Sequence, residues 1–185
     1  MSTTTQRYNA VAMVLHWLLA LLIISLLVVG KIMVDLSNND PDKFTLYQLH
    51  KSFGLLILSL SVVRVAWRLT HATPPLPAAM KRWEQVIAKA THGIFYFMML
   101  AIPLTGWTVV SSSTSGIPTL WFGLFEVPSL PGIPVGGAFH DQAKGAHEVL
   151  GNLTILLLLL HVGAALKHHF WDADDVLSRM LPFQR

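Results

Sequence analysis

No cysteine occurs anywhere in the 185 residues, which removes iron–sulfur clusters, covalently attached c-type haem, zinc–thiolate sites, disulfides and thiol catalysis in one step. Charge is scarce as well: 12% of residues are charged against 53% hydrophobic, and the mean hydropathy is +0.54. An ordinary soluble domain carries about 25% charged residues, so the chain reads as a membrane protein. Its length suits one domain over residues 1–185 and no separate soluble enzyme. A net charge of +3 could point to nucleic acid in a soluble protein, but here the basic residues flank apolar runs. Membrane topology accounts for them, and no nucleic-acid partner is expected.

What is present, then, is long apolar sequence. About 20 apolar residues at 1.5 Å rise cover a hydrocarbon layer of roughly 30 Å, and four segments reach that length: about 9–30, 45–67, 86–110 and 142–167. The first includes AVAMVLHWLLALLIISLLVVG and is longer than the apolar region of a signal peptide, with no small-residue cleavage motif after it, so it reads as a retained helix. Pro103 lies within the third and should kink it, freeing a backbone carbonyl. Short connections predict an all-α, integral membrane four-helix bundle running up-down-up-down.

Basic residues set the orientation. Arg7, Arg68, Lys81, Arg82, Lys89, Lys167, Arg179 and Arg185 fall on one side; Lys31, Lys43, Lys51 and Lys144 fall on the other. The positive-inside rule then puts both termini in the cytoplasm. The segment from Ser111 to Ala146, rich in proline, glycine and aromatics such as Trp121, Phe122 and Phe125, is placed outside, either capping the bundle or forming a flexible loop.

Ionisable side chains within a membrane need a partner or a task, and histidine is the type to explain: there are nine. His16 and His161 lie at one depth, near the cytoplasmic side of spans one and four, while His50 and His147 share the other depth in spans two and four. His147 and His161 are fourteen residues apart, which at about 100° and 1.5 Å per residue returns to nearly the same helix face about 21 Å further on. Four residues after these histidines come Ala20, Gly54, Gly151 and Ala165, thin enough for a flat macrocycle to lie against. His92, His140 and His71 have Tyr96, Lys144 and Pro75 at that offset, and His168 and His169 sit at the membrane edge.

Four histidines at two depths suit two bis-histidine haems better than zinc, since no thiolate or carboxylate completes a tetrahedral set. Two axial imidazoles fill both free iron positions and favour outer-sphere electron transfer. Propionates need cationic partners. Arg64, fourteen residues after His50, and Arg68, one turn further, are the candidates; Arg68 reads equally well as an arginine reaching lipid phosphate.

The stretches RYNAVAMVLHW, LHKSFG, VVRVAWR, HE followed by LGN, and LLHVGAALKHHFW resemble the bacterial cytochrome b-561 family of diheme membrane proteins over nearly the whole chain, least so in the outer loop. The resemblance implies two haems b, with His16 paired to His161 and His50 to His147, in a bacterial inner membrane. One member of that family is a superoxide oxidase that passes electrons from superoxide outside the membrane to ubiquinone. Carried onto this chain, that activity would place Lys51 and Lys144 as cations steering a small anion to the outer haem. Lys51 and Lys144 suit propionate or lipid-headgroup contacts equally. His92 and His168, otherwise unassigned, are quinone candidates. Two rivals stand beside this expectation: a haem subunit relaying electrons between a peripheral dehydrogenase or hydrogenase and quinone, and a colourless, non-redox transporter using histidines as a relay.

Overall fold

The computed structural model describes residues 7–181; Arg185, counted above among the basic residues, lies outside them. Four helices dominate: α1 (Ala10–Asp35), α2 (Pro41–Thr70), α3 (Arg82–Ser111) and α4 (Gly137–Phe170). Each is long and apolar enough to cross a membrane. All four outrun the apolar spans read from sequence. α4, with 34 residues, would measure about 51 Å at 1.5 Å per residue, so its helical hydrogen bonding continues well past the hydrocarbon layer. α3 runs through Pro103 without interruption.

The ends follow local chemistry. Asn9 caps α1, its side-chain oxygen accepting from the Ala12 N–H at 2.8 Å and from Trp67 Nε1 at 3.1 Å, which also fastens the start of α1 to the end of α2. Asp40 caps α2 and Pro41 opens it, where a missing N–H costs nothing. Before α4 the chain turns at Gly136, with φ +74°, and its N–H donates to the Ser112 carbonyl at 2.7 Å.

α1 packs on α2, α2 on α3 and α3 on α4. Little is buried: Leu19, Ile57 and Met99 form a small central cluster, with Leu22, Ile23, Leu26, Leu60 and Tyr96 around it. Large apolar side chains face outward instead, Leu159 being 68% and Leu160 62% exposed. A water-facing surface of that kind would be unstable, whereas lipid is an adequate solvent for it.

Both bundle ends are covered. The α3–α4 connection carries an antiparallel hairpin, β1 (Thr119–Trp121) and β2 (Phe125–Val127). It is tied to α2 by Gln48 and Lys51, which donate to the Pro118 carbonyl at 3.0 Å each, and by Ser52, which donates to Leu120 O and accepts from Phe122 N, both at 3.0 Å. Of the two readings left open for this segment, a cap on the bundle is the one adopted. At the other end, residues beyond α4 fold back. Trp17 Nε1 donates to Met180 O at 2.7 Å, Tyr8 N to Arg179 O at 3.3 Å, and the Arg179 guanidinium to Pro75 O.

Candidate functional site

The side chains that distinguish this bundle are histidines on its inner faces, and they meet in two layers. In one, the rings of His16 on α1 and His161 on α4 have centres 6.3 Å apart. In the other, His50 on α2 and His147 on α4 are 6.2 Å apart. Metal to imidazole-nitrogen bonds are about 2.0–2.1 Å and a ring centre lies about 1.1 Å behind its nitrogen, so two imidazoles on opposite sides of one metal stand about 6.2–6.4 Å apart. Both pairs match.

His92 on α3 joins the first layer, its ring centre 5.7 Å from that of His161. That is closer than a trans pair about one metal would stand, and Phe95 packs beside it, 5.1 Å from His161. Arg64 reaches this layer, as its fourteen-residue spacing from His50 anticipates: Nη1 donates to the Ala12 carbonyl at 3.1 Å and Nη2 lies 3.3 Å from His16 Nδ1. Its guanidinium also stands 5.9 Å over the Tyr96 ring. Arg68, one turn on, is exposed.

Around the second layer the bundle is hollow. A cavity of about 810 Å³, within the roughly 300–1,000 Å³ typical of ligand pockets, is lined by His50, His147, Gly30, Gly54 and Gly151, with Lys51 among the residues of its wall. A Cβ at Gly54 would meet nothing within 4 Å, and one at Gly151 only Leu27 Cδ2 at 4.0 Å. Those two thin positions were legible in sequence; two others were not. A Cβ at Gly30 would lie 3.3 Å from His50 Cε1, and one at Gly106 only 3.0 Å from His147 Cε1. They sit on helices facing the histidines, so no spacing along one helix reveals them.

Ring nitrogens in this layer are treated unequally. His147 Nδ1 lies 3.0 Å from the Ile102 carbonyl and 3.2 Å from Thr105 Oγ1. A carbonyl can only accept, so Nδ1 carries the proton and Nε2 keeps its lone pair for a metal. His50 Nδ1 is buried with no hydrogen-bond partner among the described residues. An apolar cavity between an anchored imidazole and a buried orphan, floored by glycine, fits a flat iron macrocycle.

The remaining expected residues are placed as follows. Lys144 lines the cavity and stands 4.0 Å from Glu148 in an exposed pair. His168 is held by Asp172 and Asp174, each with a carboxylate oxygen 2.8 Å from Nδ1. Lys167 joins that group through Glu84 at 2.8 Å and Asp172 at 2.6 Å. Outside the spanning helices, the hydrogen bond from Lys167 holds the Asp172 carboxyl below its usual range.

A sequence model of the family described as prokaryotic cytochrome b561 matches residues 7–183. The chain belongs to that family. It is similar to cytochrome b561 homolog 2 of Escherichia coli K12, 35% identical over 97% of this chain and 94% of that protein. It is also similar to a probable superoxide oxidase, CybB, of Yersinia pestis, 28% identical over 97% of this chain and 98% of that protein. A third relative, cytochrome b562 of Cereibacter sphaeroides, is 26% identical over 94% of both chains. As a prokaryotic cytochrome b561, the chain is a multi-pass bacterial membrane protein for electron transfer that binds b-type haem. Membership removes the non-redox transporter from consideration.

Proposed function

We propose that this cytochrome b561 holds two haems b, one between His16 and His161 and one between His50 and His147, and carries electrons from superoxide outside the membrane to ubiquinone. The observation behind it is the pair of ring separations, 6.3 and 6.2 Å, at two depths of one bundle. When bound, each haem would supply a one-electron iron couple, held by one of these two histidine pairs. The overall reaction takes two superoxide ions, one ubiquinone and two protons to two dioxygen molecules and one ubiquinol. The relative named as a probable superoxide oxidase supports the donor.

The chain's own groups have distinct tasks. The four imidazoles clasp iron, and the apolar helix faces exclude water from it. Arg64 offers its guanidinium to haem propionates; because it now takes the lone pair of His16 Nδ1, ligation through Nε2 requires Arg64 to release that nitrogen. Arg68 is the more peripheral propionate partner. Lys51 and Lys144, on the cavity wall, raise the local concentration of a small anion. His92 is the better placed of the two quinone candidates, lying beside His161, because His168 is already engaged by two carboxylates. Both termini face the cytoplasm under the positive-inside rule, which sets the His50–His147 layer outermost.

The test is purification after expression with ample haem, followed by haem and iron per polypeptide and a spectrum before and after adding superoxide alone. Two haems and direct reduction are expected. A pigment-free protein, or haems reduced only by a copurifying partner, refutes the reading.

A further inference from the structure

The two imidazoles of the outer layer are held differently by protein they do not themselves belong to. α3 offers no histidine to this layer, yet its turn Ile102–Gly106 is built against the His147 ring. The Ile102 carbonyl takes the Nδ1 proton at 3.0 Å, Thr105 Oγ1 stands 3.2 Å from the same nitrogen, and the missing Cβ of Gly106 makes room for Cε1. Across the cavity, the His50 ring also lies over a glycine, Gly30, but its Nδ1 is buried without a partner among the described residues. An imidazole whose far N–H is hydrogen-bonded is fixed in tautomer and orientation and is the more basic ligand. One with no such bond gains neither.

Resting on the reading of His50 and His147 as a ligand pair, we infer that the Ile102–Gly106 turn of α3 makes His147 the holding ligand of the outer haem and leaves His50 the yielding one. The Ile102 carbonyl is the anchor. Thr105 bears on the same proton, since its hydroxyl donates to that carbonyl at 2.8 Å while its oxygen faces Nδ1 at 3.2 Å. Thr105 is therefore a positioning residue for the iron, acting through His147.

The experiment counts haem and reads spectra, with the inner haem as an internal measure of folding. His50→Ala is expected to keep two haems, one of which, when reduced, becomes high-spin and binds carbon monoxide; added imidazole returns it to the low-spin spectrum. His147→Ala is expected to keep one. Two retained haems in His147→Ala with one in His50→Ala, or equal loss in both, overturns the inference while leaving the ligand pair intact. If neither substitution changes count or spectrum, ligand pair and inference fall together. Should the alanine variants not fold, redox titration of Thr105→Val decides. Valine removes both the hydroxyl that competes for the carbonyl and the oxygen that faces Nδ1–H, so one of the two midpoint potentials should shift and Thr105→Ser should restore it. Potentials unchanged in Thr105→Val refute the role.

Discussion

Gly106→Ala is the most exposing perturbation of this site, because the added methyl group meets a ring and not a flexible chain end. Its Cβ would stand 3.0 Å from His147 Cε1 and 3.3 Å from Nδ1, so the ring must give way by a few tenths of an ångström. Overpacking of that kind costs about 1–3 kcal/mol, while alanine in place of glycine in a helix interior gains about 0.5–1 kcal/mol. The haem-free protein should thus be unchanged or weaker by up to about 2.5 kcal/mol. The retreat also strains the 3.0 Å contact of Nδ1–H with the Ile102 carbonyl, and since full loss of such an outer contact lowers metal affinity about 10–100-fold, a fall of up to about that size is expected. Gly54→Ala is the companion: its Cβ meets no protein atom within 4 Å but enters the cavity wall. That variant should be stabilised without haem by about 0.5–1 kcal/mol and still bind the outer haem less well. Haem titration of the apoprotein, with thermal unfolding in the same detergent, measures both quantities. Wild-type affinity for two haems in Gly106→Ala would refute the seating of His147 against α3, and the same result in Gly54→Ala would remove the macrocycle from this cavity.

Two further outcomes follow from the assignments. His92→Ala should retain two haems per polypeptide, its ring standing closer to His161 than a trans ligand would; a pyridine haemochrome count of one would transfer the ligand role to His92. Replacing Lys51 and Lys144 together by Gln should slow haem reduction by superoxide several-fold at low salt and flatten its dependence on ionic strength. Stopped-flow or pulse-radiolysis rates equal to wild type across a salt series would show that these lysines serve the hairpin and the helix surface alone.

Much of this was readable in one dimension because a bilayer imposes a simple rule. Spans must be apolar and about 20 residues long, so four of them could be placed without any contact being known. Within them each histidine stood out by cost, and the fourteen residues between His147 and His161 gave depth and face at once, as did the same spacing from His50 to Arg64. The family likeness is carried by motifs around those same residues and extends over residues 7–183.

Other features required the chain to fold. Every helix end but the first lies beyond the span expected for it, since backbone hydrogen bonding does not stop where hydrocarbon does. The hairpin of β1 and β2 could not be told from a loose loop, because Gln48, Lys51 and Ser52 hold it from 67 or more residues away. The spacing to Tyr96 leaves His92 without the thin neighbour of the four paired histidines, yet α3 brings it against His161.

Sequence alone determined which four stretches are long and apolar enough to cross a membrane and how far apart along one helix His147 and His161 sit, because those depend on transfer free energy and helical rise, both local. Tertiary structure decided which imidazoles face each other, which glycines give their rings room and which ring nitrogen finds a carbonyl. Gly30, Gly106 and the Ile102 carbonyl act on side chains of other helices, and a relation between two helices is fixed only by how they pack.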